Sequence, residues 1–366
     1  MLKKKNNSKT KKRACKKIYS AIGVDLGDKR IKFLQLEQKN GQLAIFAKCI
    51  IASPPGTINH GKIIDPGPLL KELKRIKKAF NWQGKEVCLA LNSRACYMRK
   101  VKMPGIAPKE LSGAMELEAE NSFPPGIEQL VTGYCTTSFS RQNDDKSSCP
   151  DYLLAAVEKE VSDTYSRLFL GAGFYPAAIE TAPVALLRSL HYDSLLHKPP
   201  HNNRRLLLDC GYSSTTLLLI SGSSYRFHRS LNLGIEDFLK ALKDKMPSDK
   251  GARINPEKLL FEKRSMKDKG ISVPAGKMAK SINQSLDYIF EIEAIKESEL
   301  PPLEVCGGGI FIPDLPSYLQ DKLNLKLLLY DPLKTLKQSS TGLEKLKGHE
   351  GAFFHLAHGL ALRGWS

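Results

Sequence analysis

Two stretches half a chain apart share one pattern, and that duplication constrains the fold more than any other feature. "AIGVDLGDKRIKFLQLEQ" (21–38) is an apolar strand, an Asp-x-Gly tip and a second strand of alternating apolar and polar residues. "RRLLLDCGYSSTTLLLISGSSYRFHRSLNLG" (204–234) again runs strand, Asp-x-Gly tip, strand, turn, strand, with Asp209 following Asp25 by 184 positions. One Asp-x-Gly is weak, because hairpins use Asp and Gly for turn geometry alone. Two copies argue for more. Glycine at such a tip is expected to adopt positive φ and let backbone N–H groups converge on an anion. An Asp at the strand end can hold a divalent cation, usually through water. Two facing hairpins would clamp a nucleotide's phosphates from both sides. A third element fits: "LEVCGGGIFIPDLPSYLQDKL" (303–323) is a strand, three glycines and a helix, a turn that allows close backbone approach to a nucleotide, here at its adenosine end. The spacing is neither G-x-G-x-x-G nor a P-loop, which argues against Rossmann and P-loop folds.

A chain of 366 residues exceeds one core. Strands at 22–24, 31–37 and 43–51, with a turn at Asn40-Gly41, predict an antiparallel meander. Leu69, Leu73, Ile76 and Phe80 recur at helical spacing while Lys71, Lys74, Lys77 and Lys78 fall elsewhere, giving a helix with a basic outer face. "KEVCLALN" and "CYMRKVKMP" read as paired strands, "APKELSGAMELEAENSF" as a helix, and "TGYCTTSFS" with "DYLLAAVEK" as a second strand pair around the polar loop "RQNDDKSSCP". Together they predict a small α+β unit over 68–158. A helix over 159–172 stops at Gly173, "PAAIE" is a strand, "APVALLRSLH" a helix, and 191–205 a linker. Met278, Ile282, Leu286 and Ile289 mark a core helix. "FHLAHGLALRG" reads as a closing packed helix with His355 and His358 at its surface or satisfied locally. Glu116, Glu118 and Glu120 alternate, so no paired-carboxylate site is expected there.

The first 17 residues carry nine basic side chains and no acid, half of the net charge of +18. They read as a solvated disordered tail, or as a contact with anionic lipid worth roughly 1 kcal/mol per Lys or Arg. Nucleic acid is not expected, since no supporting fold motif accompanies the charge. No run approaches the ~18 apolar residues of a membrane-spanning helix, and no signal-peptide core follows the basic start. Eight scattered cysteines without a C-x-x-C pair suit a reducing cytoplasm, and the eight histidines show no metal-ligand spacing.

On these residues the chain resembles the actin, heat-shock chaperone and sugar kinase superfamily. Within it, the chain is similar to the PilM family of type IV pilus assembly proteins, relatives of the cell-division protein FtsA. The likeness is carried by "GVDLGDKRIKFLQLE", "VKMPGIAPKELSGAMELEAENSFPPGIEQLVTGY", "DYLLAAVEKEVSDTYSRLFLGAGFYPAAIETAPVALLRSL", "LLLDCGYSSTTLLLI", "RSLNLG", "LEVCGGGIFIPDLPSYL" and "FFHLAHGLALRG". It implies an α/β, actin-like (ribonuclease H-like), duplicated two-lobe fold with an inserted FtsA-type α+β subdomain. The expected units are a tail at 1–19, a first lobe from 20–67 and 159–200 with 350–366 returning to it, the insertion at 68–158, and a second lobe at 204–349.

The resemblance also implies a cytoplasmic scaffold, peripheral at the inner membrane, that binds ATP with Mg2+ and has weak or absent ATPase activity. Its partners would be the N-terminal segment of a PilN-like membrane protein and the pilus motor or platform, in a pilus, secretion or DNA-uptake system; it admits a homo-oligomer. By position, Asp25, Gly27, Asp209, Gly211, Ser213, Ser214 and Thr215 would line phosphates and magnesium, Asp25 and Asp209 reaching the ion through water, with Gly307, Gly308 and Gly309 flanking adenosine. The first tip departs from the family: Asp28, Lys29 and Arg30 stand where small hydroxyl residues are common. Asp28 would repel phosphate, and Lys29 or Arg30 would offset it by pairing with phosphate oxygens. Glu180 in "AAIETAP" is the one candidate to orient an attacking water, though Ala182 precedes Pro183 where the family often reads Glu-Pro. Two alternatives stay open: an FtsA-like filament-forming tether, which would need the C-terminal amphipathic helix that "LALRGWS" lacks, and a sugar kinase-like phosphotransferase.

Overall fold

The computed structural model describes residues 17–92, 96–103, 105–123, 129–138, 151–196, 203–245, 255–262, 270–338 and 349–365. The basic tail up to residue 16, the loop 141–150 and residues 197–202 of the expected linker lie outside them.

The first hairpin opens a seven-stranded sheet in the order Tyr175–Thr181, Glu86–Leu91, Ile22–Leu26, Arg30–Lys39, Gln42–Ala52, Lys337–Gln338, with Ile18–Tyr19 paired beside Arg30–Lys39. The predicted meander is present. Asn40 and Gly41 turn it with φ of 53° and 77°, the left-handed pair that a two-residue hairpin matched to strand twist demands. The helix Pro66–Ala79 starts at Asp65, whose side chain accepts from the Gly67 N–H, and buries Leu69, Leu73 and Ile76 on this sheet.

One expected pairing fails. Glu86–Leu91 does not pair with Tyr97–Lys102; it lies parallel between Ile22–Leu26 and Tyr175–Thr181. The reason is burial: every residue of "EVCLAL" after the glutamate is buried, as a central parallel strand covered on both faces requires. Tyr97–Lys102 instead joins Asp151–Glu158 and Leu130–Thr136 in a separate antiparallel sheet, roofed by the helix Pro108–Ser122 through Met115, Ala119 and Phe123. We therefore draw the inserted unit as 97–158 rather than 68–158.

The second hairpin opens a five-stranded sheet, Ser224–Leu231, Thr215–Ser221, Arg204–Cys210, Leu303–Cys306, Leu327–Leu329. Against it the helix Ser272–Glu293 buries Met278, Ile282, Leu286 and Ile289, as predicted. Between the sheets runs the helix Ala182–Leu196, with eight consecutive residues from Pro183 to Leu190 buried, the mark of a helix covered all round. Its Leu186, Leu187 and Leu190 share one apolar cluster with Cys88 and Ala90 of the first sheet and Leu207, Leu218 and Ile220 of the second. The helix His355–Ala361 returns to seal it. Backbones touch there: a Cβ on Gly23 would stand 2.1 Å from the Ala357 carbonyl oxygen, and one on Gly359 1.8 Å from that of Ala185.

Candidate functional site

Both hairpin tips close in the same way. The Gly27 N–H donates to the Arg30 carbonyl at 3.2 Å and the Gly211 N–H to the Ser214 carbonyl at 2.9 Å. Neither glycine has the expected positive φ. Glycine is needed because a Cβ would lie 2.9 Å from Arg30 O or 2.7 Å from Ser214 O. These two N–H groups are spent inside the turns, so they do not point at a ligand. Gly307 is the residue with the left-handed backbone, φ +84°, and a Cβ there would strike the Cys210 carbonyl at 2.5 Å.

The tips and the glycine turn converge on one cavity of about 320 Å³ between the lobes. Of the sequence-predicted residues it gathers Asp25, Gly27, Asp28, Lys29, Arg30, Asp209, Gly211, Ser213, Ser214, Gly307 and Gly308. It leaves out two. Thr215 turns its hydroxyl to the Leu233 carbonyl at 2.8 Å, and Gly309 packs behind the wall, where a Cβ would meet Cys210 Cβ at 2.9 Å. One end of the cavity is apolar, walled by Ile235, Leu239, Phe311 and Phe353, the last two rings stacked at 5.0 Å. An apolar slot with a polar, glycine-backed end is the usual form of a small-molecule site.

The charges are arranged differently from expectation. Asp28 lines the cavity with one carboxylate oxygen accepting from the Gly61 N–H at 3.0 Å. Lys29 crosses the mouth to Glu257 of the other lobe at 2.7 Å and lies 5.1 Å from the centre of the Tyr212 ring, while Arg30 lies 5.2 Å over Phe353. Asp25 is bound by Lys32 at 2.6 Å, and Asp209 by His355 Nε2 at 2.9 Å. Burial alone would push His355 down, but Asp209, by charge and hydrogen bond, carries it above the ordinary imidazole value; the Nδ1 side is held by the Ala352 carbonyl. Burial opposes the charge of Asp209, yet His355 and then Lys32 bring its carboxyl below the usual range.

These pairs bear on magnesium. One oxygen of each carboxylate expected to hold it, Asp25 Oδ2 and Asp209 Oδ1, already meets a cation of the chain. Asp209, Cys306 and His355 form the one cluster of possible metal donors among the described residues, and there too the imidazole already occupies the carboxylate.

Lys32 and His355 escape the motif reading for different reasons. Lys32 is the direct partner of Asp25 across the hairpin, so its place follows once the register is fixed. Nothing local ties His355 to Asp209. Both closing-helix histidines are buried rather than at the surface: His358 binds Ser189 Oγ through Nδ1 at 2.8 Å, its Nε2 has no partner, and burial pushes it down to about 3.

Glu180 lies elsewhere. Its carboxylate is gripped by Arg188 at 2.6 and 2.9 Å and by Arg363, at the floor of a second groove of about 200 Å³. A carboxylate so engaged, outside the cleft, cannot orient water at a phosphate. That groove runs between the outer strand Leu130–Thr136 of the inserted sheet and the outer strand Tyr175–Thr181 of the first, with Val131, Tyr134, Leu153, Ile179 and Val184 as apolar lining.

The chain matches the family model for type IV pilus assembly protein PilM over residues 23–365. Among solved structures it is similar to a PilM-PilN type IV pilus biogenesis complex, with a TM-score of 0.79 and 24% identity covering 95% of this chain and 99% of that one. It is also similar to the ethanolamine utilization protein EutJ from Carboxydothermus hydrogenoformans, with a TM-score of 0.50 and 13% identity over 95% and 90% of the two chains. At these identities both likenesses speak to the fold, which is actin-like.

Proposed function

The chain belongs to the type IV pilus assembly protein PilM family, and from that premise we propose that it is an actin-like adaptor of pilus assembly that holds a nucleotide between its lobes and docks a partner segment on its inserted subdomain. The observation that carries the nucleotide half is the convergence of both Asp-x-Gly tips and the Gly307-Gly308 turn on one cavity with an apolar end. Adenosine suits the Ile235, Leu239, Phe311 and Phe353 walls, and the phosphates suit the end where the tips meet. The reading is of binding rather than turnover, because Glu180 is committed to Arg188 and Arg363.

The second half rests on the groove. Two sheet edges flank it, and an extended peptide adds to such edges through main-chain hydrogen bonds while its alternate side chains fill apolar pockets. The N-terminal cytoplasmic segment of a PilN-like membrane protein is the proposed occupant; through it the protein sits at the inner face of the membrane and passes contact on to the pilus motor. The basic tail would add lipid contact.

Both halves can be measured on the full chain. Calorimetric titration with ATP is expected to give saturable heat that Gly308→Leu removes, since that side chain would project toward Ile235 and Phe353. A labelled peptide copying the partner's N-terminal segment is expected to raise its fluorescence anisotropy on binding, and Val131→Lys, at a 40% exposed groove position, to weaken it about tenfold or more. Absence of heat defeats the nucleotide half, and unchanged binding by the Val131 variant defeats the groove.

A further inference from the structure

We infer that the outer face of the helix Pro66–Ala79, with Leu170 and Tyr175 beside it, is a docking surface for an anionic lipid bilayer. The surface belongs to the folded body rather than to the basic tail, and it stands whether or not the groove takes a peptide.

The helix sorts its side chains by face. Leu69, Leu73 and Ile76 are buried on the sheet, whereas Lys71, Lys74, Arg75 and Lys78, at i, i+3, i+4 and i+7, form one exposed stripe. From Pro66 to Lys85 the chain has six cations and a single carboxylate, Glu72. Glu72 pairs with Arg75 at 2.8 Å, which leaves the stripe a net charge of +3. The neighbouring acids do not cancel it. Glu86 adjoins Lys85 in the chain, and Glu160 and Asp163 stand in the first turns of the helix Lys159–Gly171, where Lys159 holds Asp163.

A merely solvated basic face needs no apolar neighbours, and this one has two. Leu170 is 53% exposed and Tyr175 59%. Packing sets both beside the stripe. A Cβ on Gly171 would meet the Leu70 side chain at 3.3 Å, while Lys77 donates to the Gly173 carbonyl and lies 5.5 Å over the Phe174 ring. The end of the helix Lys159–Gly171 and the turn after it therefore run along the flank of the basic helix. Lysines on long stems reach anionic headgroups, and a leucine and a tyrosine at the same level enter the interface below them. A nucleic acid would meet the same cations but gains nothing from an exposed leucine.

The position of this face fits a membrane partner. Tyr175 begins the strand whose Ile179 and Glu180 line the second groove, four residues or about 13 Å further on. A protein resting this face on a bilayer holds the groove within reach of a segment that leaves the same bilayer.

The test is co-sedimentation of the full chain with vesicles of phosphatidylcholine and phosphatidylglycerol, and with vesicles of phosphatidylcholine alone. It is repeated on Lys71→Gln/Lys74→Gln/Lys78→Gln and on Leu170→Asp, with circular dichroism to verify each fold. The wild type is expected to partition onto the anionic vesicles, not onto the neutral ones, and to leave them in high salt. The triple variant is expected to lower the partition constant about a hundredfold, at roughly fivefold per charge, and Leu170→Asp about tenfold. Wild-type partition in the triple variant assigns the lipid contact to the tail and overturns the inference. Retention of a DNA duplex without partition onto vesicles gives the stripe to nucleic acid and overturns it too, as does partition onto neither. Because these vesicles carry no partner protein, none of these outcomes touches the groove reading.

Discussion

A buried histidine with one nitrogen unpartnered has no room for a proton, and His358 shows what that does to stability. Its folded value of about 3 lies below the 6.5 of an ordinary imidazole, so below pH 6.5 the unfolded chain binds the proton that the folded one refuses. Stability contributed by neutral His358 is therefore present above pH 6.5 and lost as the pH falls, by about 3 kcal/mol at about pH 4.5. His355 has the opposite sign: raised by Asp209, it stabilises fully below its unfolded value and loses that contribution as the pH rises through its folded one. Melting temperature against pH should show a steep acid limb that His358→Asn flattens, while His355→Gln lowers the plateau near neutrality. An unchanged acid limb in His358→Asn would be inconsistent with this account. At this scale the sequence was partly legible. Lys32 could be placed opposite Asp25 from hairpin register, whereas His355 and Asp209 are brought together only by tertiary packing.

Among the elements, glycine separates tight contacts from loose ones. Gly359 of the closing helix has the Ala185 carbonyl where a methyl would go, so Gly359→Ala is expected to cost about 1–3 kcal/mol, read from the urea midpoint. Gly113, inside the exposed face of the helix Pro108–Ser122, meets nothing within 4 Å, and Gly113→Ala should stabilise by roughly 0.5–1 kcal/mol through helix propensity. Opposite signs for one chemical change test the packing directly. Element existence was readable wherever periodicity was strong, as in the helix Pro66–Ala79 and the meander. Partner choice was not. "EVCLAL" and "YMRKVK" adjoin in sequence, but the first is buried on both faces and the second is not, so they enter different sheets.

For the molecule as a whole, the two lobes are joined at the back by an apolar seam and at the front by polar contacts, Lys29–Glu257 and His60–Glu236. The rear seam is the apolar cluster around the helix Ala182–Leu196; the Lys29–Glu257 pair across the cavity mouth is 46% and 55% exposed. An exposed pair contributes about 0–1 kcal/mol, so Lys29→Ala should leave the unfolding midpoint nearly unchanged. Hydrogen exchange at both hairpin tips should nevertheless quicken, because one of the contacts that tie the tips across the mouth is gone. The duplicated hairpins made the two-lobe plan legible from sequence, while the seam is one cluster drawn from residues as distant as Cys88 and Leu218.

The backbone contact between Gly23 and Ala357 also sets an order of events on the ribosome. The strand that carries Asp25 emerges early, yet the helix that covers it is made about 330 residues later, roughly half a minute of synthesis at ordinary rates. Through that interval the apolar face around Leu34, Leu36 and Ile45 lacks its final cover, while the second lobe, whose segments lie closer together in the chain, can already close. The first hairpin to be translated is thus among the last to be completed, and the nascent chain depends over that time on whatever shields an unfinished sheet.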